Sequence, residues 1–136
     1  MPAETVQDAT TAASVLRDSS TWVVVPLYNE ASVIGGVLRE LRRRFENVVV
    51  VDDGSSDASY EAARPEATWI LRHLVNRGQG AAIQTGTSFA LARGAERIAH
   101  FDADGQHDVR DLQRMVERVS SGACDIAIGN RFADGA

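Results

Sequence analysis

The chain has 136 residues, 44% of them hydrophobic and 24% charged, a composition that fits one soluble globular domain and not two. Its 14 basic residues are all arginine and face 19 acidic ones, so the net charge of −5 argues against a nucleic-acid partner. The single cysteine, Cys124, excludes an internal disulfide; the three histidines lack zinc-ligand spacing, and no stretch resembles a signal peptide or approaches the roughly 20 apolar residues of a membrane span.

Residues 1–20 are rich in Ala, Thr, Ser and Asp and are expected to form a flexible lead-in, with a short helix around Thr11 to Arg17. The domain is expected over 21–136. Trp22 to Val25, ended by Pro26, predicts a buried strand. Val33, Ile34, Val37, Leu38 and Leu41 recur at helical spacing, and Arg42 to Arg44 suit a helix C-terminus. Four valines, Val48 to Val51, predict a strand buried on both faces. Asp57 is placed to cap a short helix reaching Arg64. Thr68 to Leu74 predicts a third strand, Ala81 to Arg93 a small-residue helix, and Arg97 to Phe101 a fourth strand. Asp108 then caps a helix whose stripe is Val109, Leu112, Met115, Val116 and Val119, and Gly122 stops it. Asp125 to Ile128 predicts a fifth strand.

This alternation implies an α/β fold: a mostly parallel sheet with helices on both faces. Ligands of such sheets bind beyond the carboxyl ends of the strands. Every expected strand here ends in a polar loop: Leu27 to Glu30, Asp52 to Ser56, Asn76 to Gly80, Asp102 to Gln106, and Gly129 to Arg131. Asp102 and Asp104 leave a buried strand as a carboxylate pair, which is costly without a compensating cation. Oxygen donors suit Mg²⁺ or Mn²⁺ shared with a substrate phosphate, and Gln106 can add a neutral ligand. The plain alternative is a solvated acidic turn. Asp52 and Asp53 can accept hydrogen bonds from a nucleoside or simply form an Asx turn. Tyr28 can cover a base, while Asn29 and Glu30 can equally cap the next helix. Asn76 to Gly80 completes neither GxGxxG nor a GK[ST] phosphate loop. Arg131 suits bidentate phosphate recognition or a surface ion pair.

Together, Pro26-Leu-Tyr-Asn-Glu30, Val51-Asp-Asp-Gly-Ser-Ser-Asp57, Asn76-Arg-Gly-Gln-Gly80, Phe101-Asp-Ala-Asp-Gly-Gln-His107 and Ile128-Gly-Asn-Arg-Phe132 resemble the inverting glycosyltransferases of family 2, of GT-A fold. The nearest likeness is to the dolichyl- and polyprenyl-phosphate sugar transferases. The resemblance covers Trp22 to Phe132 and corresponds to the N-terminal, donor-binding portion of a longer domain. It implies that Pro26, Tyr28, Glu30, Val51, Asp53, Ala103 and Arg131 meet the nucleotide-sugar, and that Asp102, Asp104 and Gln106 hold Mg²⁺ or Mn²⁺. It further implies hexose transfer from a GDP-mannose- or UDP-glucose-type donor to a polyprenyl phosphate at a membrane surface, by a cytoplasmic or peripheral protein. No general base is identifiable. Two alternatives are a non-catalytic nucleoside-diphosphate-binding fragment and a phosphohydrolase of the haloacid dehalogenase type with Asp102 as nucleophile; the latter motif normally follows the first strand, not the fourth.

Overall fold

The structure, a computed structural model, describes residues 17–129. Their elements run β1 (Asp18–Leu27), α1 (Ala31–Arg44), β2 (Phe45–Asp52), α2 (Ser59–Ala63), β3 (Trp69–Arg72), α3 (Gln79–Ala92), β4 (Arg97–His100) and α4 (Val109–Ser120). The four strands form one parallel sheet in the order β3-β2-β1-β4. This is the expected α/β fold, with its most apolar strands, β1 and β2, at the centre.

Side-chain alternation divides the core between two faces. Val23, Val25 and Leu27 of β1 with Val48 and Val50 of β2 pack on Ile34, Leu38 and Leu41 of α1 and Leu112 of α4. Trp22, Val49 and Val51 face the other way, toward Ala82 and Ala90 of α3. Each fully buried valine contributes roughly 1.5–3 kcal/mol of apolar transfer. On the α3 face Gly86 allows the close approach: a Cβ there would lie within 3.1 Å of Val51 Cγ2 and closer still to Val24. Small residues in this helix thus serve packing on the sheet.

Two boundaries differ from expectation. Strand β1 starts at Asp18, where the Oδ1 of that residue accepts from Ser20 N and Thr21 N at 2.8 and 3.0 Å, so the lead-in ends earlier than residue 20. Residues 1–16, with most of the expected short helix, lie outside the described residues. The strand also continues through Pro26, which pairs in register with Val51. A proline is tolerated here because its nitrogen faces the β4 side beyond Phe101 N, whose bond to Val24 O is the last on that side.

The fifth expected strand is corrected by the structure: Asp125 to Ile128 is irregular. A strand requires a ladder partner, and this segment stands off β4 across a cavity of about 580 Å³ lined by Ile98, Leu112, Met115 and Val119. Ile126 and Ile128 are accordingly 77% and 85% exposed. The expected third strand also ends early, at Arg72, leaving Leu74 and Val75 exposed in the loop.

Candidate functional site

The carboxyl ends of β1, β2, β3 and β4 surround one cavity of about 350 Å³. Pro26, Leu27, Tyr28 and Glu30 line it from the first loop and Asp53 from the second. Asn76, Gly78 and Gln79 line it from the third, and Asp102, Ala103 and Asp104 from the fourth. Of the expected site residues, Pro26, Tyr28, Glu30, Asp53, Ala103, Asp102 and Asp104 therefore share one wall. Val51 does not line it; its side chain is fully buried against Trp22 and Ala82. Arg131 lies outside the described residues.

The first two loops are laced together. Asn29 adopts a left-handed φ of 52°, and its side-chain oxygen accepts from Ser56 N at 2.9 Å. Ser55 Oγ and Ser59 Oγ accept from Asn29 N and Glu30 N at 2.9 and 2.8 Å. Asp57 Oδ1 accepts from Ser59 N at 2.9 Å, at the start of α2, and Asp57 is held below the usual carboxylate range chiefly by the Ser59 hydroxyl. The polar residues after β1 and β2 thus hold Tyr28 and Glu30 at the cavity through backbone geometry.

Asp53 is nearly buried and its carboxylate is surrounded by donors. Oδ1 lies 2.8 Å from His73 Nδ1 and accepts from Arg77 N at 2.8 Å, and Oδ2 accepts from Gly78 N at 2.8 Å. Burial alone would raise its pKa, but these hydrogen bonds together bring it below the ordinary value. Asp52 turns the other way: Arg72 Nε lies 3.2 Å from its Oδ2, near enough for an ion pair but not aligned as a hydrogen bond. That guanidinium also stacks over Tyr60, 4.6 Å from the ring centroid.

Asp102, Asp104 and His107 each present one ligand atom, all within 4.8 Å of one another, so three donors converge where a divalent cation fits. Gly105, with φ 79°, makes the turn between them. His107 Nε2 lies 3.4 Å from Asp102 Oδ2, and Gln79 Nε2 donates to Asp102 Oδ1 at 2.7 Å. Gln106 lines a neighbouring cavity together with His107, Gly36, Val37, Glu40 and Arg44, and its backbone N–H donates to Asp104 Oδ1 at 2.9 Å. His73, Gln79 and His107 were not recognised from the sequence as site residues. Gln79 and His107 stand in motifs visible in the sequence and His73 in the expected third strand, but sequence separation hides the long contacts: His73 and Asp53 are 20 residues apart, and Gln79 and Asp102 are 23 apart.

An all-parallel sheet with such loops gathered round a cavity at its carboxyl edge defines a Rossmann-like α/β unit. The family model described as glycosyl transferase family 2 matches residues 22–136, and the chain belongs to that family. It is 42% identical over 120 residues to an uncharacterized protein of Methanocaldococcus jannaschii, covering 88% of this chain and 49% of that protein. It is 32% identical over 131 residues to the polyprenol monophosphomannose synthase of Mycolicibacterium smegmatis, covering 90% and 49%. Over 119 residues it is 33% identical to the undecaprenyl-phosphate mannosyltransferase of Micrococcus luteus, covering 82% and 48%. The chain therefore spans about half the length of the curated relatives it matches. No helix among the described residues is long and apolar enough to cross a membrane.

Proposed function

We propose that this chain carries the donor site of a metal-dependent hexosyltransferase, which moves a hexose from a GDP-mannose- or UDP-glucose-type donor to a polyprenyl phosphate. The observation that carries the reading is the convergence of Asp102, Asp104 and His107 beside the carboxyl-edge cavity, which both aspartates line. Two carboxylates and an imidazole suit Mn²⁺ or Mg²⁺, the carboxylates for either ion and the nitrogen favouring Mn²⁺. The acceptor class is supported by the names of two relatives, a polyprenol monophosphomannose synthase and an undecaprenyl-phosphate mannosyltransferase.

In this reading Tyr28 and Glu30, held by the Asn29 and Ser55 bonds, meet the nucleoside together with Pro26. Asp53 and the backbone at Val51 belong to the same end. The N-terminus of α3 opens on the cavity wall, where unpaired first-turn N–H groups favour an anionic diphosphate. Asp102 and Asp104 hold the cation, which when bound offsets charge on the departing nucleoside diphosphate. An oxygen of the acceptor phosphate attacks the anomeric carbon from the opposite side, and the bond to the diphosphate breaks with its electron pair leaving on that group. A lipid phosphate is already anionic at neutral pH, so the acceptor needs positioning and no general base. Arg131 is assigned by family likeness to phosphate of donor or acceptor. A protein working at this acceptor sits peripherally on the cytoplasmic face of a membrane.

Calorimetry with UDP and GDP, with and without Mn²⁺, tests the donor site. Binding of one nucleotide that depends on metal is expected, and no binding under any metal overturns the reading. Asp102→Asn or Asp104→Asn should weaken Mn²⁺ about tenfold or more. His107→Ala should do the same, and comparison with Gln106→Ala decides which neighbour supplies the third ligand. Transfer assays on the longer protein, offering both donors to polyprenyl phosphate, test the acceptor; transfer to a soluble sugar but never to lipid removes that assignment.

A further inference from the structure

We propose that His73 is a positioning residue for the Asp102 carboxylate, acting through Asp53 and the loop that carries Gln79. The inference rests on the metal-site reading above and assigns a buried histidine that this reading does not use. His73 is only 8% exposed. Its Nδ1 lies 2.8 Å from Asp53 Oδ1, and its Nε2 lies 2.9 Å from Thr85 Oγ1 on α3. An ionised carboxylate only accepts, so Nδ1 carries the hydrogen; in the neutral ring Nε2 then accepts from the Thr85 hydroxyl. The imidazole therefore ties the end of β2 to the body of α3.

The other bonds of Asp53 extend this tie to the cavity. Both of its oxygens accept backbone amides, from Arg77 and Gly78, and so fix the residues just before α3. Gly78 takes a left-handed φ of 101°, after which the helix begins at Gln79. Gly54 packs so tightly on this loop that a Cβ would stand 2.7 Å from Val75 C and Asn76 N. Gln79 is thereby held where its side chain donates to Asp102 Oδ1, leaving Oδ2 on the side of His107. Unlike the metal ligands, His73 touches neither donor nor cation; its effect is to set the rotamer of one ligand. Gln79 is bonded directly behind a metal ligand, and removing such a group changes affinity by about 10–100-fold; His73 acts one step further back, by fixing the loop that carries Gln79.

The test is the Mn²⁺ affinity of the 136-residue chain, followed by electron paramagnetic resonance of free Mn²⁺. His73→Ala and Gln79→Ala should each weaken Mn²⁺ about tenfold, at the lower end of that range. His73→Asn, which keeps a donor toward Asp53, should recover most of the affinity. Because both act along one line, the double variant should bind little worse than either single one. A folded His73→Ala chain with wild-type Mn²⁺ affinity overturns the proposal, as does full additivity of the two substitutions. Should His73→Ala fail to fold, the exposed Gln79→Ala variant decides: unchanged Mn²⁺ binding overturns the proposal, and a tenfold loss that His73→Asn shares in part supports it. If the wild-type chain binds neither Mn²⁺ nor nucleotide, the metal site itself falls and this role with it. If it binds Mn²⁺ and the variants match it, only the role of His73 falls.

Discussion

Asp52 and Asp53 are neighbours with opposite employment. Strand alternation sends the first toward Arg72 and the second toward the cavity, where a histidine and two amides hold it. Such geometry depends on Gly54, whose φ of 72° and tight backbone contacts leave no space for a side chain. Gly54→Ala should therefore destabilise the chain by about 1–3 kcal/mol, seen as a lower urea midpoint with unchanged slope. An unshifted midpoint would show that the loop relaxes freely. The motif Val51-Asp-Asp-Gly-Ser was visible in the sequence, where taken alone an Asx turn was the better reading than a nucleoside contact. Only the fold shows that both carboxylates are held within their own chain.

Helix α3 shows what an element can and cannot declare in sequence. Its small residues were visible in the sequence, and the fold shows their use: Gly86 meets Val24 and Val51 across the sheet. Gly86→Val should overpack that face and cost about 1–3 kcal/mol, measurable as a reduced thermal midpoint; a midpoint at or above wild type would mean that α3 can shift outward without loss. Helix α4 was legible at both ends. Asp108 accepts from Arg110 N at 2.8 Å, and Gly122 takes a left-handed φ of 83° beyond its last turn. Strand pairing was less legible. Asp125 to Ile128 has the apolar pattern of a strand, but a ladder needs a second partner, and none of the described strands lies beside it.

At the scale of the molecule, acid should loosen the carboxyl edge of the sheet and the start of α4 together. Asp108 is drawn down from 3.8 to about 2, mainly by the Arg110 guanidinium and then by the Arg110 amide. Asp53 and Asp57 are also lowered, Asp53 by bonds that outweigh its burial and Asp57 by the Ser59 hydroxyl. A folded pKa below the unfolded one adds stability above the unfolded value and loses it as pH falls through the folded value. The thermal midpoint should therefore drop between about pH 4 and pH 2, and Asp108→Asn should flatten the lower part of that fall. A midpoint constant over this range in circular dichroism would contradict it.

Hydrophobic periodicity by itself determined the order of strands and helices from β1 to α4, because buried valine runs and amphipathic stripes are local patterns. Strand-end loops likewise placed Asp102, Asp104, Tyr28 and Glu30 at one edge. Tertiary structure alone decided which side chains meet there. The turn at Gly105 brings His107 Nε2 within 3.4 Å of Asp102 Oδ2, a contact between side chains that the run Asp102 to His107 does not spell out. His73 reaches Asp53, and Gln79 reaches Asp102, because parallel strands bring distant loops side by side. Hydrogen bonds of that kind depend on angles and distances across the sheet, and no local pattern of residues encodes them.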